Sequence, residues 1–139
     1  MSEPQSPFPP VSPYLTVRDG NAACAFYEKA FGATLMHKMP ADDGKRLMHA
    51  ALMLNGGVIM LADEFPEFGS GGTPAPQTIG GSAVTIHVEV TDADRWWKRA
   101  VDAGAQVVMP LDNQFWGARY GKLKDPFGHI WSIGGPVTK

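Results

Sequence analysis

Apolar and polar residues alternate over residues 11–17 (Val-Ser-Pro-Tyr-Leu-Thr-Val), the period of a half-buried strand. Asp19 then stands where a helix N-cap belongs. Ala22, Phe26 and Ala30 recur every fourth residue, the mark of one buried helical face, and Gly32 supplies the stop. A short apolar segment at 34–39 and a turn at Asp42-Asp43-Gly44 come next. A strand pattern at 46–54, a turn at Asn55-Gly56-Gly57 and a strand at 58–62 complete a β-α-β-β-β unit.

Residues 64–82 are rich in glycine and proline and carry neither period, so they read as a linker, with the length of a lid or crossover. The order of elements then repeats. A strand at 83–90 precedes the cap Asp92, and Trp97, Ala100 and Val101 mark a buried helical face that Gly104 ends. A segment at 106–109, a loop and strand through 113–124, a turn at Asp125-Pro126-Phe127-Gly128 and a strand at 130–133 follow. Val17 and Asp19 match Val90 and Asp92 at an offset of 73 residues, whereas Gly32, Gly56 and Leu61 match Gly104, Gly128 and Ile133 at 72. One residue deleted in the second helix accounts for the change. Either unit alone would leave a sheet face bare, so the pattern predicts a single α+β domain of two βαβββ modules, at 11–63 and 83–135, behind a proline-rich arm at 1–10.

A length of 139 residues fits one such domain, and the 12 Lys+Arg against 14 Asp+Glu do not cluster, which argues against nucleic acid as a partner. The longest apolar run, at 58–62, is too short to span a bilayer, and the N-terminus lacks the charged and apolar regions of a signal peptide. The expectation is a cytoplasmic protein with no membrane partner. The single cysteine, Cys24, shares a helical face with Tyr27 and Phe31 and reads as a small buried hydrophobe.

The segments Pro13-Tyr14-Leu15-Thr16-Val17, Ala25-Phe26-Tyr27-Glu28-Lys29-Ala30-Phe31-Gly32, Phe115-Trp116-Gly117-Ala118-Arg119-Tyr120-Gly121 and Asp125-Pro126-Phe127-Gly128-His129-Ile130-Trp131-Ser132-Ile133 resemble the vicinal-oxygen-chelate superfamily. That superfamily includes glyoxalases, bleomycin-resistance proteins and dioxygenases, and the combination is similar to its PhnB-like branch. The resemblance implies a glyoxalase/bleomycin-resistance/dihydroxybiphenyl-dioxygenase type fold, a homodimer, and a cleft lined by alternate strand residues. Metal enzymes of the superfamily place ligands on the first and last strand of each module. Those positions fall here on Ser12, Met60, Thr85 and Ser132. Hydroxyls and a thioether are poor donors for divalent zinc, iron or manganese, so no cofactor is expected. If a divalent metal binds nonetheless, His49 and His87 are the fallback ligands.

His87 lies two residues beyond Thr85 and shares its strand face, where it could also transfer protons. Tyr14 corresponds to His87 at the offset of 73, either as a contact for a small polar ligand or as a core tyrosine. Trp116, Arg119 and Tyr120 read as an aromatic wall with a guanidinium for a carboxylate or phosphate, or as core packing beside an ion pair. The ligand site is therefore expected to comprise Tyr14, Thr16, Met60, Thr85, His87, Trp116, Arg119, Tyr120 and Ser132. Of the adjacent Trp96 and Trp97, one is expected in the core and the other at a module or subunit contact. Two functions fit: a small-molecule binding protein without the usual metal, or a metal-dependent lyase, isomerase or dioxygenase that uses His87.

Overall fold

The computed structural model describes residues 8–139. The first module runs β1 (Tyr14–Val17), α1 (Gly20–Phe31), β2 (Thr34–Pro40), β3 (Leu47–Leu54) and β4 (Gly57–Asp63). The second runs β5 (Thr85–Glu89), α3 (Ala93–Ala103), β6 (Gln106–Asn113), β7 (Ala118–Lys124) and β8 (Ile130–Pro136). Each forms a four-stranded mixed sheet, in the orders β1-β4-β3-β2 and β5-β8-β7-β6. The α+β fold of two βαβββ modules is therefore present. The first strand is shorter than its alternation suggests and starts at Tyr14. Of the proline-rich arm, residues 1–7 lie outside the described residues, and Phe8 sets its ring edge-on to His49.

Asp19 and Asp92 cap the two helices by accepting from Ala22 N and Arg95 N, and Gly32 and Gly104 end them in the left-handed region. The helices pack together, and their apolar faces share one core with the sheets. Tyr27 stacks on Phe31 at its centre with Trp131 tilted against both, and Cys24 is buried, where desolvation raises the thiol pKa. Trp96 and Trp97 both pack half-buried against this core. Trp97 lies so close to Gly121 that a Cβ there would meet its ring at 2.6 Å.

A buried carboxylate holds each module together. Asp63 accepts from the backbone N–H groups of Asp19, Gly20 and Leu47 at 2.7–3.0 Å, and so locks the start of α1 to β3 and β4. Asp125 accepts from Phe127 N and His129 N in its turn, from Trp131 Nε1 at 2.8 Å and from Tyr27 Oη at 2.6 Å, a bond that crosses from one module to the other. Two further bonds join the modules at equivalent places. Asn55 Nδ2 donates to Glu89 O, and His129 Nε2 donates to Thr16 O.

The linker is not structureless as its composition suggests. A 3-10 segment spans Pro66–Gly71 and a short helix, α2, spans Pro76–Ile79. Proline opens each, and proline is pre-organised for a first helical turn. Side chains tie this segment down. Arg46 makes a two-point ion pair with Glu67 at 2.6 and 3.0 Å, and Glu64 accepts from Ala75 N and Thr78 Oγ1. Among the described residues no helix is long and apolar enough to cross a membrane.

Candidate functional site

One face of each sheet is covered by the helices, and the other is open. Strand parity decides which side chains reach the open face. On the first sheet, Tyr14 is paired with Met60, Met60 with Ala51, and Ala51 with His37, which gives a row of four across all strands. On the second, His87 is paired with Ser132 and Ser132 with Lys122, while Glu89, Gly134, Tyr120 and Asp112 form the next row.

His87 is held from both sides. Its Nδ1 is 2.7 Å from Ser132 Oγ and its Nε2 is 2.8 Å from Glu89 Oε1. Its ring stacks on Tyr120 with centroids 5.8 Å apart, and Tyr120 meets Trp116 edge-on at 5.7 Å. Gly134 makes this possible, because a Cβ there would lie 2.8 Å from His87 Cε1. The result is an imidazole fixed in orientation beside an aromatic wall. The depression it lines, with Thr85, Trp116, Tyr120 and Ser132, has a volume of about 440 Å³.

A second cavity, of about 570 Å³, runs along the seam where β1 meets β5. Ser12, Tyr14, Thr85 and His87 line it together, so the positions related by the repeat do meet across the module boundary. His87 lines both hollows. Ser12 Oγ is buried at the seam and has no hydrogen-bond partner among the described residues, a donor and acceptor that a bound polar group would satisfy.

The other expected residues are placed as follows. Thr16 is nearly buried and lines a third hollow of about 260 Å³ with Tyr14, under Phe65 and Phe68 of the linker. Met60 lies beside Tyr14 on β4. Arg119 is turned away from the site. It pairs with Gly135 in the ladder on the helix-covered face, and its guanidinium grips Asp94 of α3 with two bonds of 2.8 Å and Asn113 Oδ1 at 3.2 Å. The ligand contact expected of Arg119 is thus replaced by an ion pair, because the one-residue alternation that brings Tyr120 to the open face takes Arg119 to the other.

His49 and His87 are not brought together. His49 bonds Tyr14 Oη through Nδ1 at 2.9 Å and neighbours His37, whereas His87 belongs to the second sheet. The four positions that carry ligands in metal enzymes of the fold hold Ser12, Met60, Thr85 and Ser132, and Ser132 Oγ is engaged with His87. Among the described residues no three of His, Cys, Asp and Glu converge. This donor set does not fit a divalent metal.

Three residues of this surface escaped the sequence reading. Glu89 and Gly134 follow from the two-residue period beyond His87 and Ser132, and Lys122 from the pairing of β7 with β8. The period was legible; the pairing was not.

Comparison with known proteins agrees with the architecture. A profile of the Glyoxalase/Bleomycin resistance protein/Dioxygenase superfamily matches residues 10–133. The chain belongs to that superfamily. It is 50% identical over 131 residues to the uncharacterized protein Mb0911c of Mycobacterium bovis, covering 94% of this chain and 86% of that one. The structure of TioX from Micromonospora sp. ML1 superposes with a TM-score of 0.70 at 27% identity, over 91% of this chain and 98% of that one. The fosfomycin resistance protein FosX of Listeria monocytogenes, solved with Mn(II) and sulfate, shares the fold with a TM-score of 0.68 at 15% identity, over 91% of each chain. As a member of the glyoxalase/bleomycin resistance/dioxygenase superfamily, the chain has a scaffold that hosts many chemistries, so function is argued from its own side chains.

Proposed function

We propose that this protein is a glyoxalase-like small-molecule binding protein of the vicinal-oxygen-chelate type, of the PhnB-like branch, and that it works without the usual divalent metal. The observation that carries the reading is the position of His87. It joins the seam cavity, where Ser12 offers an unpartnered hydroxyl, to the depression walled by Trp116 and Tyr120. An apolar ligand body fits the aromatic wall while its polar end meets Thr85, His87 and Ser12. Met60, Ser132 and Tyr14 extend the same surface, and Thr16 borders it.

A second reading rests on the bond between Glu89 and His87. With Nε2–H given to Glu89, Nδ1 is the proton acceptor and faces the Ser132 hydroxyl, so a metal-free lyase or isomerase step on a bound ligand would pass its proton to His87 through Ser132 Oγ. A metal-dependent version gains nothing from Ser12, Met60, Thr85 and Ser132, so no step is assigned to a metal. For the assembly we propose a homodimer, since the outer strands β2 and β6 expose Leu35, Met36, Val107 and Val108 at sheet edges.

A ligand-stabilisation screen tests the function. A compound that raises the melting temperature and is recovered unchanged supports the binder. Conversion of that compound, lost on His87→Ala, supports the enzyme. A requirement for added Mn(II) or Zn(II) for binding would overturn the metal-free reading. Light scattering tests the dimer, and a monomer at micromolar concentration would refute it.

A further inference from the structure

The open face of the first sheet concentrates soft donors. Met39 is directly opposite His49, and His37 lies two residues from Met39 on the same face of β2. Across the small Ala51, which separates them by one strand, His37 looks toward Met60. Two imidazoles and two thioethers are therefore carried by residues that neighbour Ala51 in the ladder.

The imidazoles are spaced for a shared ion. The centroids of His37 and His49 are 5.6 Å apart with a 42° angle between planes. With metal–nitrogen bonds of about 2 Å and each ring centre about 1.2 Å behind its nitrogen, two imidazoles on one ion hold their centroids roughly 5 to 6.5 Å apart. Tyr14 supplies the outer support that ligating histidines need. When Nδ1–H of His49 donates to Tyr14 Oη, Nε2 is left with its lone pair free. His37 is exposed and takes part in no hydrogen bond among the described residues, so its ring can turn toward an ion.

We propose that His37, His49, Met39 and Met60 form a site for a soft monovalent cation, Cu(I), on the open face of the first sheet, bordering the seam cavity at Tyr14. Thioethers select Cu(I), whereas manganese and magnesium prefer oxygen ligands, and zinc would use the two imidazoles without gaining from the thioethers. The site draws on β2, β3 and β4, and of the positions held by Ser12, Met60, Thr85 and Ser132 it shares Met60 alone.

The test is an anaerobic titration of the full chain with Cu(I) against a coloured bicinchoninate competitor, beside a titration with Zn(II). One equivalent of Cu(I) is expected to be retained, with affinity reduced at least 100-fold in the His37→Asn/His49→Asn double variant and about 10-fold in Met39→Leu/Met60→Leu. Thermal unfolding of the metal-free variants checks that they are folded. X-ray absorption on the unaltered protein gives an answer that needs no variant: sulfur and imidazole scattering around copper is expected. Failure to retain Cu(I), undiminished binding in the histidine double variant, tighter binding of Zn(II), or a copper shell without sulfur would each overturn the proposal.

Discussion

The two modules share a chain order and a sheet order, yet equivalent positions on their open faces carry opposite chemistry. Where the first sheet lines up Tyr14, Met60, Ala51 and His37, the second lines up His87, Ser132 and Lys122. The first face is soft and apolar with two histidines; the second is polar, with an imidazole held between a hydroxyl and a carboxylate. Burial dictates the helix-covered faces, which must fill a common core, and so they remain alike. The open faces are under no such constraint and differ.

Their anchors differ as well, and the largest predicted effect comes from there. Asp63 binds only backbone N–H groups within its own module, whereas Asp125 reaches across to Tyr27. Asp125→Ala would strand the Trp131 indole, the Tyr27 hydroxyl and two backbone N–H groups, at a cost of about 3 to 5 kcal/mol. Asp63→Ala leaves three backbone donors unpaired and should cost about 2 to 4 kcal/mol. Urea unfolding checks both, and equal loss in the two variants would weaken the distinction between an internal and a cross-module anchor.

Next in size is the aromatic wall. Trp116→Ala should weaken ligand affinity about 10-fold, on the order of 1.4 kcal/mol, while leaving unfolding nearly unchanged, because Trp116 is half exposed. Titration calorimetry with a hit from the screen measures it. A smaller effect is expected at Arg119, whose ion pair with Asp94 is partly solvated. Arg119→Ala should cost about 0.5 kcal/mol of stability and leave ligand affinity unaltered. A loss of affinity there would return Arg119 to the site.

The smallest effect concerns pH and belongs to the first face alone. His49 has a lowered pKa because burial and then the neighbouring His37 disfavour its charged form. The folded state therefore binds fewer protons than the unfolded one at mildly acid pH. The stability associated with neutral His49 is complete above the unfolded value, about pH 6.5, and is lost as pH falls through 6.5 toward the lowered folded value. An NMR titration should find His49 below 6.5, and His37→Gln should raise it. A His49 that titrates above 6.5 would contradict this.

Much of the fold was legible because it rests on period and punctuation. Asp19, Gly32, Asp92 and Gly104 mark both helices at their observed caps, and the repeat offset brings Tyr14 and His87 to the same seam. The linker misled because proline and glycine mask two short helical segments whose order comes from Arg46, Glu64 and Glu67 at a distance in sequence. Arg119 misled for a different reason. Its chemistry suggests anion binding, but the strand register that turns it toward Asp94 is set by pairing with β8. His37 and Lys122 were invisible in the same way, since each gains meaning only from the strand beside it.

The central claim is that the second module's open face, around His87, holds a small molecule without a metal. Amide and indole NMR spectra recorded with a ligand from the screen, in the presence of a chelator, test it most directly. The account predicts that shifts concentrate on Thr85, His87, Tyr120, Ser132 and the Trp116 indole, and persist in the chelator. Shifts that vanish with the chelator and return with Mn(II), or that fall on the helix-covered face around Arg119, would contradict it.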